Sequence, residues 1–542
     1  MKFDSNKNSK SLFLVWGFIV LFILICIVVP LLCTFFCIRI QDLKNLVFQR
    51  NFRAIIFNTF LICICSTSLS VLIGYIFAYA VVKIKIPGSK FFSFIPILHL
   101  ITPPFVGGLS FILLFGRQGF FTHKILGLDI SLYGFWGLLI AQTLCFFPLS
   151  YLICVQSLKG INTNLEQAAR GMGASELKIF FTITLPLSLP GILSSFLFIA
   201  VSVLSDFGNP LIVGGRFKVL AVEIYTQLTG WLKIGTSASL GIILLIPSVL
   251  LFILQNKLNK KIENQIATTK QNSFYADDKK SSLLTKIIFT IFVLFISALV
   301  LAQMISIIAG SFQKLWGINT SFTTEHIKGI FRYSKELKNS ILFSLIAAVF
   351  CTFIAGISSY MVYRTKLPLR QTINIFAQIP SAIPGSLLGL SILIASNKFN
   401  FKNSAVLIVI AMIVAFLPFA YKIISNSFGQ ISSSLDDSAM SLGANKLTVF
   451  STILVPISAD GIFGGFIYDF IRGVGTLSAV IFLVSFKTPL ASISLVNLAE
   501  QGDWGKSAAL AMVLTILTFS ILGIGFLIKK IFSRKQRWLF FQ

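Results

Sequence analysis

Of the charged residues inside long apolar runs, three are candidates for chemistry, because a lone charge there costs roughly 2.5–3.5 kcal/mol at the bilayer centre. Asp206 stands in VLSDFGNPLIVGG, and Asp469 and Arg472 stand in IYDFIRGVGTLSAV. Ionisable groups at membrane depth line pathways or pair with one another. Asp469 and Arg472 are three residues apart, so on a helix they share a face and can pair. Two readings stay open for these three residues: a translocation lining or gate, and a structural ion pair that fixes helix packing. Other chemistry finds no residues to carry it. The eight Cys sit in or beside apolar runs without a C-x-x-C pair, and His99, His123 and His326 are scattered, so no metal site is expected. No G-x-x-x-x-G-K-[ST] loop is present, so the chain is not expected to be an enzyme, to hydrolyse ATP or to bind a cofactor itself.

The elements that must position these residues are membrane spans. Of the 542 residues 56% are hydrophobic and 12% charged, about half the charged share of an ordinary soluble domain. Twelve runs are long enough to cross a bilayer: roughly 12–37, 55–82, 91–115, 132–155, 188–213, 236–256, 284–310, 339–363, 371–396, 404–426, 459–485 and 507–530. The first is too long for the apolar core of a signal peptide and is expected to remain as a span. The net charge of +27 falls mostly between apolar runs. It reads as topology information rather than as a nucleic-acid surface. Lys83, Lys85 and Lys90 crowd one hairpin end, and Arg364, Lys366 and Arg370 crowd another. With six Lys in the 257–283 linker and a basic tail, these segments are expected inside, with both termini cytoplasmic in a bacterial plasma (inner) membrane.

The chain repeats itself. LEQAARGMGASELKIFFTITLP from Leu165 falls on LDDSAMSLGANKLTVFSTILVP from Leu435, without a gap, at an offset of 270. Upstream the offset is 281, with Asn58/Asn339, Tyr79/Tyr360, Lys85/Lys366, Pro87/Pro368, Pro103/Pro384 and Gly108/Gly389 matching. Matched Pro, Gly, Asn and Lys at one offset point to internal duplication. The expected organisation is a tail, first span and outside loop over 1–53, a first repeat domain over 54–258, then a linker, seventh span and outside loop over 259–334. A second such domain follows over 335–530 and a cytoplasmic tail over 531–542. The fold class is all-α, about twelve transmembrane helices in two homologous six-helix halves.

Some 30 residues separate the fourth and fifth span of each half, far more than a simple helix connection needs. Asn164 with Gln167, and Ser434 with Asp437, read as capping boxes. Short helices carrying Ala168, Ala169 and Ala439 follow. Gly173 and Gly443 then suit helix ends, where φ > 0 favours glycine. Ser175 and Asn445 can cap the next helix. The acidic starts (Glu166, Asp436, Asp437) favour a protein partner over headgroups, which would select Lys and Arg.

This spacing resembles the cytoplasmic coupling motif of type I ABC importer permeases: EAA, three residues, Gly, nine residues, Ile-x-Leu-Pro. The first copy reads Gln167-Ala168-Ala169, Gly173 and Ile183-Thr184-Leu185-Pro186; the second reads Asp437-Ser438-Ala439, Gly443 and Ile453-Leu454-Val455-Pro456. Gln167, Asp437, Ser438 and Val455 depart from the motif. Both permease domains in one chain look like the fused ferric iron permeases; thiamine permeases and some phosphonate permeases share that layout. The resemblance implies a cytoplasmic ABC ATPase dimer that carries the ATP, an extracytoplasmic solute-binding protein, and surrounding membrane lipid. It also implies that Glu166, Gln167, Ala168, Ala169, Gly173, Asp436, Asp437, Ala439 and Gly443 form the ATPase-coupling elements. An ion-gradient-driven secondary transporter of the 6+6 kind is the alternative from another class. It would not need a matched 30-residue motif.

Overall fold

The computed structural model describes residues 14, 16–103, 105–127, 132–269, 282–365, 370–432 and 434–539. It is almost wholly helical; the strands among the described residues are Gln313–Leu315 and Asn319–Phe322. Among the described residues nine helices are long and apolar enough to cross a membrane, or up to eleven if each of two bent helix pairs is one span. Lys366 and Pro368, second members of two repeat matches, lie outside the described residues. So does most of the 259–283 linker beyond the helix end at Thr269.

Two of the expected straight spans are broken at matched prolines. The run 91–115 is two helices, Ser89–Ile101 and Phe105–Phe115, and 371–396 is Arg370–Ala382 followed by Gly385–Lys398 at 104°. Pro103 and Pro384 stand at the breaks. Proline removes an N–H and clashes with the preceding turn, and it pushes the residue before it out of the helical region. Accordingly Thr102 has φ −69, ψ 141 and Ile383 has φ −96, ψ 117. The span expected at 459–485 ends at Val474, and its helix is bent by 69° from the preceding Phe450–Ile457.

The chain forms two compact units. One comprises Arg39–Gly310 with Leu315–Thr320. Its core joins Tyr75, Phe77, Phe147, Tyr151 and Cys154 to Val293, Ile296 and Val300 of the helix Leu283–Phe312. The other takes the described part of Met1–Ile38, with Ser311–Lys314 and everything from Ser321. There the helix Val29–Phe36 meets Gly385–Lys398, and Thr34 Oγ1 donates to Ser391 Oγ at 2.9 Å. The leading span of each half is therefore built into the unit that holds the other half's repeat.

Within both units the repeat keeps its closest contacts. A Cβ at Gly191 would run into Ser157, and one at Gly461 into Ser427, the residues 270 further on. In lipid, helices associate through close packing of small residues, so these glycines set the approach of the fourth and fifth spans. A π-helical turn opens each fifth span, Phe180–Thr184 and Phe450–Leu454. Against each sits a matched tyrosine: Tyr79 on Phe180 with ring centroids 5.1 Å apart, and Tyr360 on Phe450 at 4.9 Å.

Candidate functional site

The loop helices are Thr163–Gly171 and Ser434–Ser441. Their starts lie slightly upstream of the expected caps. Asn162 Oδ1 accepts from Asn164 N at 3.0 Å, and Ser432 Oγ accepts from Ser434 N at 3.3 Å. Asn164 and Ser434 already belong to the first turn, so their side chains cannot cap it. The ends match expectation. Gly173 has φ +84 and Gly443 φ +91. Gly173 N donates to Arg170 O and Ala174 N to Ala169 O, while Gly443 N donates to Met440 O and Ala444 N to Ala439 O. These are the paired bonds of a left-handed helix cap that uses up the last carbonyls. Ser175 Oγ then accepts from Lys178 N, and Asn445 Oδ1 from Thr448 N, as expected.

Both helices present the same faces. Glu166, Ala169, Asp436 and Ala439 turn inward, whereas Gln167, Ala168, Gly173, Asp437 and Gly443 are exposed. At the apex two apolar side chains stand out into the open: Met172 is 83% exposed and its repeat partner Leu442 90%. Leu165, Leu435 and Leu177 are also exposed. The outward surface is thus a small apolar knob whose shape the positive-φ glycine sets.

The inward acids hold the knob to its own unit. Glu166 is 4% exposed; its Oε1 is 2.8 Å from Lys83 Nζ and accepts from Thr184 Oγ1 at 2.9 Å. In the other unit Arg364 Nη1 lies 3.2 Å from Asp436 Oδ2, and Arg364 Nη2 donates to the carbonyls of Phe428 at 2.8 Å and Ile431 at 2.6 Å. Lys83 and Arg364 are 281 apart, Glu166 and Asp436 are 270 apart, so the ion pair is itself duplicated. The sequence reading singled out the acids without their cations, although two basic residues at the repeat offset were the available signal. A second pair is not duplicated. Arg170 forks onto Glu176 (Nε to Oε1 2.8 Å, Nη2 to Oε2 3.1 Å), while the matched positions are Met440 and Lys446.

The charges at membrane depth differ just as sharply. Asp206 lies in the break between the helices Leu185–Leu204 and Gly208–Val213. Its Oδ2 accepts from Gln142 Nε2 and from Asn209 Nδ2, both at 3.0 Å, and Gln142 Oε1 accepts from Ser66 Oγ at 3.0 Å. Among the described residues Asn209 Oδ1 has no hydrogen-bond partner, and it faces Gly108, where a Cβ would stand 3.3 Å away. Ser66, Gln142 and Asn209 escaped the sequence reading because uncharged polar residues in apolar runs are common. The corresponding residues of the second half are Ala347, Met412, Thr476 and Ala479. Of the two readings left open for Asp469 and Arg472, the ion pair does not form among the described residues. Asp469 is 2% exposed, neither carboxylate oxygen has a hydrogen-bond partner of good geometry among the described residues, and its neighbour is the Cys351 thiol. Arg472 reaches the Tyr468 side chain on its own helix instead. Among the described residues no group of three or more His, Cys, Asp or Glu is placed to hold a metal.

Comparison with known proteins agrees with the duplicated geometry. The ferric transport system permease protein FbpB of Actinobacillus pleuropneumoniae is 31% identical over 450 residues, 80% of this chain and 64% of that protein. FbpB 1 of Haemophilus influenzae is 30% identical over 416 residues, 74% of this chain and 65% of that one. The Fe(3+)-transport system permease protein FbpB 2 of Haemophilus influenzae is 23% identical over 502 residues, 90% of this chain and 91% of that one. The chain thus spans just under two thirds of the length of the first two relatives. Residues 70–264 and 348–538 each match one family, so the chain belongs, twice over, to the binding-protein-dependent transport system inner membrane components.

Proposed function

We propose that this chain is the permease subunit of an ATP-driven importer, and that it provides the translocation pathway for ferric iron delivered by an external solute-binding protein. The observation that carries the reading is the duplicated knob: a short helix, a positive-φ glycine and an exposed apolar apex at Met172 and Leu442. Each knob docks one subunit of a separate cytoplasmic ABC ATPase dimer, which binds and hydrolyses the ATP. Exposed Gln167, Ala168, Asp437 and the two glycines form the contact, while Glu166 and Asp436 act from behind it by fixing the helix. Both loops and both termini lie on the cytoplasmic side, as the basic hairpin ends at Lys83 and Arg364 favour. The Asp206 network is the polar station of the pathway in the first half, and Asp469 with Arg472 lines it in the second.

The cargo assignment is supported by the relatives, which are named as ferric permeases. Oxygen donors such as Asp206 suit a hard cation. A station that held iron tightly would trap it, so few donors are compatible with passage. Thiamine or a phosphonate is the alternative cargo for the same machine. Uptake of labelled ferric iron in a strain lacking this chain and any redundant importer tests the assignment. Uptake is expected to fall to background under iron limitation and to return with the intact gene. Unchanged iron uptake would reject iron and leave the importer assignment standing, whereas ATP-independent transport by the reconstituted chain would favour a gradient-driven transporter.

A further inference from the structure

A cavity of about 1000 Å³ opens behind the first knob, bounded by the inner ends of the helices Arg50–Ile84 and Leu283–Phe312 and by the loop helix. Its lining divides by chemistry. One wall is apolar and aromatic: the Tyr79 ring lies tilted against Phe289 with centroids 5.7 Å apart, and Leu72, 55% exposed, continues the wall onto the helix's outward apolar surface. The other end carries five cations against two carboxylates. Both carboxylates already have partners, Glu166 with Lys83 and Glu176 with Arg170. Among the described lining residues that leaves positive charge at Lys159 and Lys286, which make no ion pair among the described residues.

We infer that this cavity binds an anionic phospholipid, its phosphate between Lys159 and Lys286 and its acyl chain along Leu72 and Tyr79. Basic pockets between transmembrane helices near the membrane boundary have the chemistry to take acidic headgroups. A soluble anion would use the cations but leave the apolar wall bare. The lipid would fill the space between the loop helix and Leu283–Phe312, bracing the knob from the membrane side. The site is independent of the cargo, and its test does not involve transport.

The experiment uses the full chain, purified and stripped of lipid. Native mass spectrometry and thermal unfolding are followed with dioleoyl phosphatidylglycerol, with dioleoyl phosphatidylcholine and with inorganic phosphate. Each lysine near an acidic lipid surface is worth about fivefold in binding, so phosphatidylglycerol should be favoured by about thirtyfold through Lys159 and Lys286 together. The K159Q/K286Q variant should reduce that preference to near unity, and K159R/K286R should retain it. Equal retention of the two lipids by the unmodified chain would overturn the inference. So would an undiminished preference in K159Q/K286Q. Inorganic phosphate that displaces phosphatidylglycerol at millimolar concentration would reassign the cavity to small anions. A crosslink from position 286 to the ATPase in an assembled complex that retains no lipid would reassign it to protein.

Discussion

The two halves of this chain descend from one sequence, and the places where they still agree are different in kind from those where they have parted. Both keep the glycine with positive φ, the apolar apex beside it, the inward acid with its cation, the π turn and the tyrosine against it. Each of these fixes where a short helix stands relative to its own bundle. The fork of Arg170 onto Glu176 and the Ser66–Gln142–Asp206–Asn209 network occur in the first half alone. The second half instead has a carboxylate, Asp469, without a hydrogen-bond partner of good geometry among the described residues. Duplication has preserved the mechanical attachment of the knob and let the polar interior diverge. That is the pattern expected if both knobs do one job and the two interiors meet the cargo differently.

The largest effect should come from breaking the duplicated ion pair. Removing one partner of a buried pair costs about 3–5 kcal/mol, and the side chains of Lys83, Glu166, Arg364 and Asp436 are all at least 87% buried. Lys83→Met and Arg364→Met should therefore each lower the unfolding temperature of the detergent-purified chain markedly. The halves differ in the conservative change: Arg364→Lys should still cost about 2 kcal/mol, because a lysine cannot reproduce the fork onto two backbone carbonyls. If both methionine variants melt like the parent, the pairs do not brace the knobs.

Next come the carboxylates at depth. Asp206→Asn places an amide where Gln142 Nε2, Asn209 Nδ2 and Asn209 N donate, and hydrogen bonds to a charged acceptor are worth about 1.5–3 kcal/mol. Asp469→Asn replaces a buried carboxyl whose oxygens accept no hydrogen bond among the described residues, so its stability should be unchanged or raised. Equal losses in the two variants, read by thermal unfolding, would erase the contrast between the interiors.

The glycines follow. A side chain held at positive φ costs of order 1–3 kcal/mol locally, and neither Gly173 nor Gly443 has any atom within 4 Å of an added Cβ. Strain, not clash, is the mechanism. Gly173→Val with Gly443→Val should leave the chain in the membrane but abolish transport-linked ATP hydrolysis with purified partners. Undiminished hydrolysis would contradict docking through these turns. The smallest effect belongs to Arg170→Met, which copies the second half. Glu176 is 63% exposed, and an exposed pair contributes less than about 1 kcal/mol, so neither stability nor hydrolysis should change measurably.

How far the sequence alone led follows the range of each interaction. Gly173, Ser175 and Asn445 were legible because a helix cap is decided by a few adjacent residues. Asn162 and Ser432 were missed by two positions, since helix starts depend on where the chain leaves the bundle. The breaks at Pro103 and Pro384 were visible as matched residues, but their runs were apolar enough to pass as straight spans. Longer-range facts were hidden. Nothing in the run around Trp16–Phe36 says which bundle it joins; that depends on contacts such as Thr34 with Ser391, 357 residues away. Lys83 looked like one more inward-side cation until its carboxylate was placed beside it. The pairing of Asp469 with Arg472 failed for the opposite reason. Helical spacing brings two side chains to one face, but neighbouring helices decide which way each turns.

The most direct test of the central claim is photocrosslinking from positions 172 and 442 in the assembled complex. A photoreactive residue is placed at Met172 in one variant and at Leu442 in another, and the products are identified by mass spectrometry. If each half docks an ATPase subunit through its exposed apex, both positions should crosslink to the ATPase. A control at the inward Ala169 should not. Crosslinks from neither position, or from either to the external binding protein, would contradict the account.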